Sequence, residues 1–260
     1  MILFLALAMM AADPAPAELR PTFDALRQQT DAIHGRRIKQ AIAASPVLSR
    51  RLAALAKNGI FKGIVVKPPE AALDRIGLKL RAWRTDGTIF ITSDLLDKLA
   101  TPDRRFRTLD YSRNNPDDLV MVLAFLAAKL DSQVALEKTQ SDMKLAFQAE
   151  VAKGPSDTPV DATSVMKSFM ESSINDDARA YIIGWNAVFD AAENSAGQKL
   201  DLKDFADLVM KMRYNKPLLA SMQAPVDAIV TPPTLRFGLD AHSIHAIATV
   251  LGNQQMPEFK

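Results

Sequence analysis

The 260-residue chain contains no cysteine and only 10 glycines. The absence of cysteine excludes disulfide bonds, thiolate nucleophiles, iron–sulfur clusters, cysteine-type zinc sites and a lipid anchor attached to cysteine. The sequence also lacks a P-loop, a dinucleotide-binding glycine fingerprint and a G-x-S-x-G nucleophile elbow. These absences remove the best-known phosphate-binding and serine-hydrolase sites from consideration.

Neither sign of charge is in clear excess. The chain has 32 Lys and Arg against 30 Asp and Glu, a formal net charge of +2, which does not indicate nucleic acid as the main partner. Basic pairs occur at residues 36–37, 50–51 and 104–105, but aromatic residues are not interleaved with them. We interpret these pairs as solvated surface.

An apolar run occupies the start of the chain. Residues 2–10 read ILFLALAMM, which is the length of a signal-peptide core and too short to span a bilayer. Ala15-Pro16-Ala17 offers a cleavage site before Glu18, although no basic residue precedes the run. We therefore expect residues 1–17 to be a signal peptide and the protein to be periplasmic or secreted. The alternative is a buried N-terminal strand or helix.

The remaining sequence indicates a folded protein. The hydrophobic content of 48% and the charged content of 24% are ordinary for a globular domain, and 260 residues can enclose a large core. No later apolar run reaches membrane-spanning length, so the sequence predicts no integral membrane segment in the mature chain.

Residues 18–59 form the first predicted segment after the signal. The apolar pattern predicts one helix over residues 21–44 and a second over residues 46–57. Ser45-Pro46 is a typical helix start and Asn58-Gly59 a typical helix stop.

Strand patterns follow. Residues 60–66 (IFKGIVV), 78–84 and 88–92 (TIFIT) have strand character, and Thr85-Asp86-Gly87 predicts a hairpin turn between the last two. We expect a small antiparallel sheet of about three strands, followed by a short helix at residues 94–99 that Ser93 caps.

The rest of the chain has helical patterns. Residues 119–128 are apolar on nearly all sides, which is typical of a central buried helix, and Gly154-Pro155 ends this region. Further helices are predicted at residues 160–193, with a candidate break at 174–175, and at 201–213 and 240–251. Residues 216–238 read as a packed loop. The prediction is a predominantly helical α+β fold whose sheet packs on the long buried helix.

This order of elements resembles the zincin metallopeptidases. In that family an edge strand and a short helix, here TIFITSDLLDKL at residues 88–99, precede a helix that carries the H-E-x-x-H motif. The sequence DDLVMVLAFLAAKL at residues 117–130 stands in that place. Downstream, DDARAYIIGWNAVF at residues 176–189 is similar to the gluzincin helix that supplies the third zinc ligand. The resemblance covers residues 60–193 and implies a zincin-like domain over residues 60–260 with a C-terminal helical extension.

The resemblance also shows which side chains are missing. It puts Phe125 at the first histidine, Leu126 at the general-base glutamate and Lys129 at the second histidine. Phenyl and isobutyl groups donate no lone pair to a metal, and an ammonium group repels a divalent cation. Only Asp177, at the third ligand, keeps a carboxylate. We therefore expect no zinc, no other cofactor and no metallopeptidase chemistry.

Lys129 suggests a specific substitute for the metal. If its ammonium group takes the place of the cation, Asp177 is the expected partner, with Asp131 as a further candidate. A buried cation needs such a partner, because an unpaired one costs several kcal/mol. The alternative is that Phe125 and Leu126 are ordinary core residues, that Asp177 is a surface charge, and that the likeness is coincidental.

Other candidate motifs have simpler structural interpretations. His242 and His245, beside Asp240, are interpreted as a polar first helical turn rather than a metal site. The S-x-x-K pairs and the paired carboxylates are interpreted as chance spacing and as acidic helix starts. Trp83 and Trp185 are interpreted as packing anchors. The motifs are Ser141/Lys144, Ser164/Lys167, Asp117-Asp118 and Asp176-Asp177.

Two functions remain open at this point. The first is an exported, non-catalytic pseudo-metallopeptidase that binds a peptide or protein in its cleft. The second is a helical interaction or structural protein of the periplasm, unrelated to peptidases. A hydrolase with an unrecognised site is a weaker third alternative.

Overall fold

The computed structural model describes residues 16–29, 32–69, 82–100, 117–153, 163–201, 203–204, 230–231 and 235–255. Residues 1–15 of the predicted signal peptide, most of the predicted helix at 201–213 and most of the predicted loop at 216–238 therefore lie outside the described residues. The described helices are α1 (Arg20–Gln29), α2 (Ala32–Ala44), α3 (Pro46–Lys57), α4 (Ser93–Ala100), α5 (Asp117–Asp131), α6 (Gln133–Lys153), α7 (Thr163–Ala196) and α8 (Ala241–Gln255). The strands are β1 (Gly63–Lys67), β2 (Ala82–Thr85), β3 (Thr88–Thr92), β4 (Val230–Thr231) and β5 (Arg236–Phe237).

The prediction of one helix over residues 21–44 is wrong, because α1 ends at Gln29 and α2 begins at Ala32. The two helices pack against each other at Gly35, where a Cβ atom would lie 3.0 Å from the carbonyl oxygen of Leu26. Leu26 on α1 and Ile38 on α2 are both buried in the same core. The irregular apolar pattern thus belongs to two helices that share one core.

The second predicted helix is confirmed as α3. The Ser45 hydroxyl accepts a hydrogen bond from the backbone N–H of Leu48 at 3.2 Å, and Pro46 occupies the first turn. Asp190 of α7 accepts two further hydrogen bonds here, from the backbone N–H of Val47 at 2.8 Å and from the Ser45 hydroxyl at 3.1 Å. This carboxylate connects the start of α3 to the middle of the molecule.

The three-stranded sheet is mixed rather than antiparallel. Its order is β1-β3-β2, with β2 antiparallel and β1 parallel to β3. The predicted hairpin turn is present, because Asp86 and Gly87 both have positive φ, 48° and 80°. Residues 68–81 separate β1 from β2, which is long enough for a connection that places β1 on the far side of β3. As a result β3 lies between two strands instead of at an edge.

The predicted central helix is confirmed as α5, whose residues from Leu119 to Leu130 are largely buried. It contacts β2 and β3 on the sheet and packs along α7 on another side. The candidate break at residues 174–175 is absent, because α7 is continuous. At Gly184, a Cβ atom would collide with the side chain of Met121, so this glycine allows α5 and α7 to approach closely.

The helical region that follows Asp117 bends once. The axes of Leu119–Asp131 and Gln133–Ala152 differ by 54°, and α6 is exposed along most of its length. Within the described residues no single helix is long and apolar enough to cross a bilayer, although this bent pair meets the criteria of length and composition.

A short hairpin of β4 and β5 lies inside the segment that was predicted to be a loop. The side chain of Asn186 on α7 fixes it, because its amide nitrogen donates to the carbonyl of Phe237 at 2.9 Å and its amide oxygen accepts from the Phe237 N–H at 3.0 Å. Two-residue strands carry too little alternation to be recognised in a sequence.

Candidate functional site

The candidate site lies where α5 packs against α7. Phe125 and Lys129 are four residues apart and therefore lie on the same face of α5. Asp177 and Tyr181 are related in the same way on α7. The two helices bring these side chains together, as the resemblance implies for the corresponding metal ligands.

The predicted ion pair is present. The Lys129 ammonium nitrogen lies 2.7 Å from Asp177 Oδ1, and it also donates a hydrogen bond to Asp176 Oδ2. The side chains of Lys129, Asp176 and Asp177 are 14%, 10% and 26% exposed, so water screens the pair only partly. Asp131 does not take part, because it binds Arg51 at 3.0 Å. We refer to Lys129, Asp176 and Asp177 as the ion triad.

Arg84 on β2 adds a second cation beside the triad. Its guanidinium group donates to the side-chain oxygen of Gln133 at 3.0 Å. Burial lowers the pKa of Arg84, and the negative charges of Asp176, Glu137 and Asp177 act in the opposite direction. The lysine and the arginine thus both offset the charge of the two aspartates.

Aromatic side chains form one wall of the site. The rings of Phe125 and Tyr181 meet edge to face with their centroids 5.0 Å apart. Burial raises the pKa of the Tyr181 phenol, and the charge of Asp177 raises it further. Tyr181 is therefore a neutral phenol at physiological pH.

The position that the resemblance assigns to the general base is filled by a core residue. Leu126 is 7% exposed and belongs to the main core, so it offers nothing to a metal-bound water. In the part of the chain that the structure describes, no group of three His, Cys, Asp or Glu side chains could hold a metal ion. What the arrangement does chemically is join two helices through charge-assisted hydrogen bonds.

The strand beside the site differs from the expected one. The resemblance puts an edge strand at residues 88–92, but these residues are β3, which lies between β1 and β2. It is β2 that brings Arg84 to the ion triad. A peptide that approached the site along a sheet edge would therefore meet β2.

The other candidate motifs lie elsewhere. His242 and His245 are exposed in the first turns of α8, where Asp240 accepts hydrogen bonds from the backbone N–H and the hydroxyl of Ser243, both at 2.9 Å. These hydrogen bonds lower the pKa of Asp240. The interpretation of this motif as a polar helix start is confirmed. The same interpretation is wrong for Asp176-Asp177, which lie in the middle of α7.

The remaining candidates play no part in the site. Ser141, Lys144, Ser164 and Lys167 are exposed on α6 and α7, and the side chains of residues 117 and 118 lie outside the described residues. The tryptophans are packing anchors, as predicted. Trp185 is buried against Phe237 and Phe189, and Trp83 stacks on Phe90 at 5.2 Å.

A contact of the buried His34 with an exposed carboxylate was not predicted. His34 on α2 donates from Nε2 to Asp97 of α4 at 2.9 Å, and Arg37 donates to the same oxygen at 3.2 Å. The hydrogen bond from His34 is the main cause of a lowered pKa at Asp97. His34 and Asp97 are 63 residues apart, and no local pattern in the sequence predicts such a contact.

Comparisons with known proteins give no further information about this site. No protein-family model, no curated protein and no solved structure matches the chain.

Proposed function

We propose that this protein is an exported, non-catalytic relative of the zincin metallopeptidases that binds a peptide or protein partner. The observation that supports this proposal is the ion triad. The Lys129 ammonium group stands at a position where the resemblance expects a zinc-binding histidine, and the carboxylate expected to bind the metal binds this ammonium group instead.

The charge balance explains how such a fold could keep its shape without zinc. Two carboxylates that face a helix interface repel each other unless a cation lies between them. In a peptidase the metal would supply that charge, and here Lys129 supplies it. Leu126 at the place of the catalytic glutamate argues against hydrolysis by this site.

Metal analysis and a protease assay test the non-catalytic part of the proposal. We expect the purified protein to contain no stoichiometric zinc and to leave casein intact. Stoichiometric zinc, or cleavage of casein that a chelator abolishes, would contradict the proposal.

Restoring the ligands tests the zincin-like part. The variant with Phe125→His, Leu126→Glu, Lys129→His and Asp177→Glu should bind one zinc ion, because the frame would bring these side chains to one point. The matched control carries Lys129→Ala in place of Lys129→His and should bind zinc at least about tenfold more weakly. Equal affinity in the two variants, with both folded by circular dichroism, would sink the zincin-like interpretation.

Export can be tested directly. The apolar run at residues 2–10 and the cleavage site after Ala17 are its support. We expect the mature protein, recovered from the periplasm or medium of an expressing bacterium, to begin at Glu18. A chain that stays in the cytoplasm with its first residues intact would contradict this part.

A second candidate, a helical interaction protein without peptidase ancestry, is favoured by α6 and the start of α7. These two helices form a hairpin, here called the α6–α7 hairpin, and its large exposed apolar side chains are Val134, Leu145, Phe147, Val151 and Met166. A cavity of about 480 Å³ lies between α6 and the start of α7, and Met143, Phe147 and Met166 help to line it. Exposed apolar surface of this kind marks binding sites for other proteins.

Hydrogen exchange distinguishes the two candidates. Peptides selected from a random-sequence display library on the intact protein serve as the probe. Under the first proposal, the bound peptide adds to the edge of β2, and the amides of residues 82–85 become protected. Protection confined to residues 134–151 would instead favour the second candidate.

A further inference from the structure

A cavity of about 350 Å³ lies between α1 and α2, apart from the ion triad. Its base is apolar, because it is formed by Phe23 and Leu26, which are 6% and 2% exposed. Gly35 forms part of the wall, at the point where the two helices approach each other closely. The other lining residues are Arg27, Arg36 and Lys39.

Among the described residues, the three cations at this cavity form few ion pairs. Arg27 makes one exposed contact with Asp24 at 3.3 Å, whereas Arg36 and Lys39 form no salt bridge with any described residue. Lys39 lies over the ring of Phe23, with its nitrogen 5.7 Å from the ring centroid. The rim of the cavity is therefore positive, and its base is apolar.

The two arginines of the basic pair at residues 36–37 make different contacts. Arg37 points to Asp97 of α4, while Arg36 lines the cavity. The surrounding segment is basic as a whole, because residues 16–57 contain eight Lys and Arg but three Asp and Glu, in a chain whose net charge is only +2. The helical segment that contains this cavity therefore carries a net positive charge.

We infer that this cavity binds a small organic anion, in which a carboxylate or phosphate group is attached to an apolar body. Arg36 and Lys39 would hold the anionic group, and Phe23 and Leu26 would cover the apolar part. Either half of such a ligand binds weakly alone, because exposed cations are screened by water and a small apolar surface gives little energy. The cavity volume of about 350 Å³ lies in the range of pockets that bind small molecules.

Calorimetric titration with three probes tests the inference on the full chain. Octanoate carries both features, octanol has only the apolar body, and inorganic phosphate has only the charge. We expect saturable binding of octanoate that weakens as salt concentration rises, and much weaker binding of the other two probes. Equal binding of octanol, or no saturable binding of octanoate, would overturn the inference.

Two sets of variants locate the site. Arg36→Gln with Lys39→Gln should weaken octanoate binding roughly tenfold, the loss expected for two exposed charge contacts. Arg50→Gln removes an exposed cation on α3 that does not line the cavity, and it should leave the affinity unchanged. Equal affinity of wild type and the double variant would overturn the assignment.

A third measurement separates a free ligand from a lipid headgroup. Vesicles of phosphatidylglycerol are sedimented with the wild-type protein at physiological salt. The inferred cavity takes free ligands, so octanoate binding is expected without sedimentation of the protein. Sedimentation that the double variant loses, in a protein that does not bind octanoate, would contradict the cavity and indicate a membrane-binding surface.

Discussion

Lys129 is held in place by charge-assisted hydrogen bonds to two carboxylates. Two carboxylates share its ammonium group, and all three side chains are mostly shielded from water. Because these carboxylates lose their partner when the lysine is removed, the substitution costs more than the net value of the ion pair.

Lys129→Met should therefore lower the free energy of unfolding by roughly 3–5 kcal/mol, as measured by urea denaturation. Adding Asp176→Asn and Asp177→Asn to this variant should recover part of the loss, because the two carboxylates are then no longer unpaired, while Arg84 keeps Glu137 as a nearby negative charge. A loss below about 1 kcal/mol for Lys129→Met alone would show that the triad is screened as an exposed pair is.

Glu193 gives a test of pH dependence. Burial raises the pKa of its carboxyl group, but hydrogen bonds from Lys199 at 2.9 Å and Arg236 at 2.7 Å outweigh burial, and the pKa lies below its ordinary value. The ionised carboxylate therefore stabilises the fold above about pH 4.5, and this stabilisation is lost as the pH falls through the lowered pKa.

Glu193→Gln should be about 1–3 kcal/mol less stable than wild type at pH 7, because the charge-assisted hydrogen bonds are weakened. Urea denaturation at several pH values should show the difference shrinking once the pH falls below about 4.5. A difference that stays constant down to pH 3 would contradict the role of the ionised carboxylate.

Contacts between individual residues were predicted from the sequence only where a pattern linked the two positions. Lys129 and Asp177 were paired because the resemblance put both at ligand positions of one metal. Asp176 was missed as the second partner, and Asp131 was wrongly proposed, because a sequence does not show how two helices are rotated against each other. His34 and Asp97 have no pattern in common, so their contact could not be predicted.

At the scale of elements, the contact of α5 with α7 depends on a glycine. A side chain at Gly184 would meet the sulfur and methyl group of Met121. Gly184→Val should lower the free energy of unfolding by about 1–3 kcal/mol through overpacking. In the Met121→Ala background the same substitution should cost at least about 1 kcal/mol less, because the space has been vacated.

Gly252 on α8 is the matched control. A Cβ atom there would lie 3.8 Å from Ile174 Cδ1, an ordinary contact. Gly252→Ala should therefore raise the free energy of unfolding by up to about 1 kcal/mol, because alanine favours the helix. If both glycine substitutions had the same effect in thermal denaturation, close packing at Gly184 would not be the cause.

Local signals predicted some elements and failed for others. The cap at Ser45 and the turn at Asp86-Gly87 depend on neighbouring residues, so α3 and β3 were predicted with the ends that the structure has. The predicted start of β2, at residue 78, lies outside the described residues. The parallel pairing of β1 with β3 joins residues that are far apart in the sequence, so no local pattern predicted it. The division of the predicted helix at residues 21–44 into α1 and α2 was missed, since both helices bury residues in one core.

At the scale of the whole molecule, stability is distributed unevenly. The helix α5 and the second half of α7 are buried, while α6 is exposed along most of its length beyond the bend at Ser132. Elements with little buried surface open locally without global unfolding.

Native-state hydrogen exchange should show this difference. We expect the amides of α6 to exchange through local openings that do not depend on denaturant, and those of α5 and residues 178–191 to exchange only with global unfolding. Equal protection of α5 and α6 would mean that the α6–α7 hairpin is covered in solution, as self-association through its apolar side chains would cause.

The burial of Leu19 has a consequence for how the chain can be processed. This residue is fully buried, although it lies only two positions after the predicted cleavage site. To remove Leu19, an exopeptidase that trims the N-terminus would have to expose the buried leucine side chain, which costs about 1.5–3 kcal/mol. Trimming should therefore stop before Leu19 is removed, and mass spectrometry of aged protein should find no N-terminus beyond Leu19.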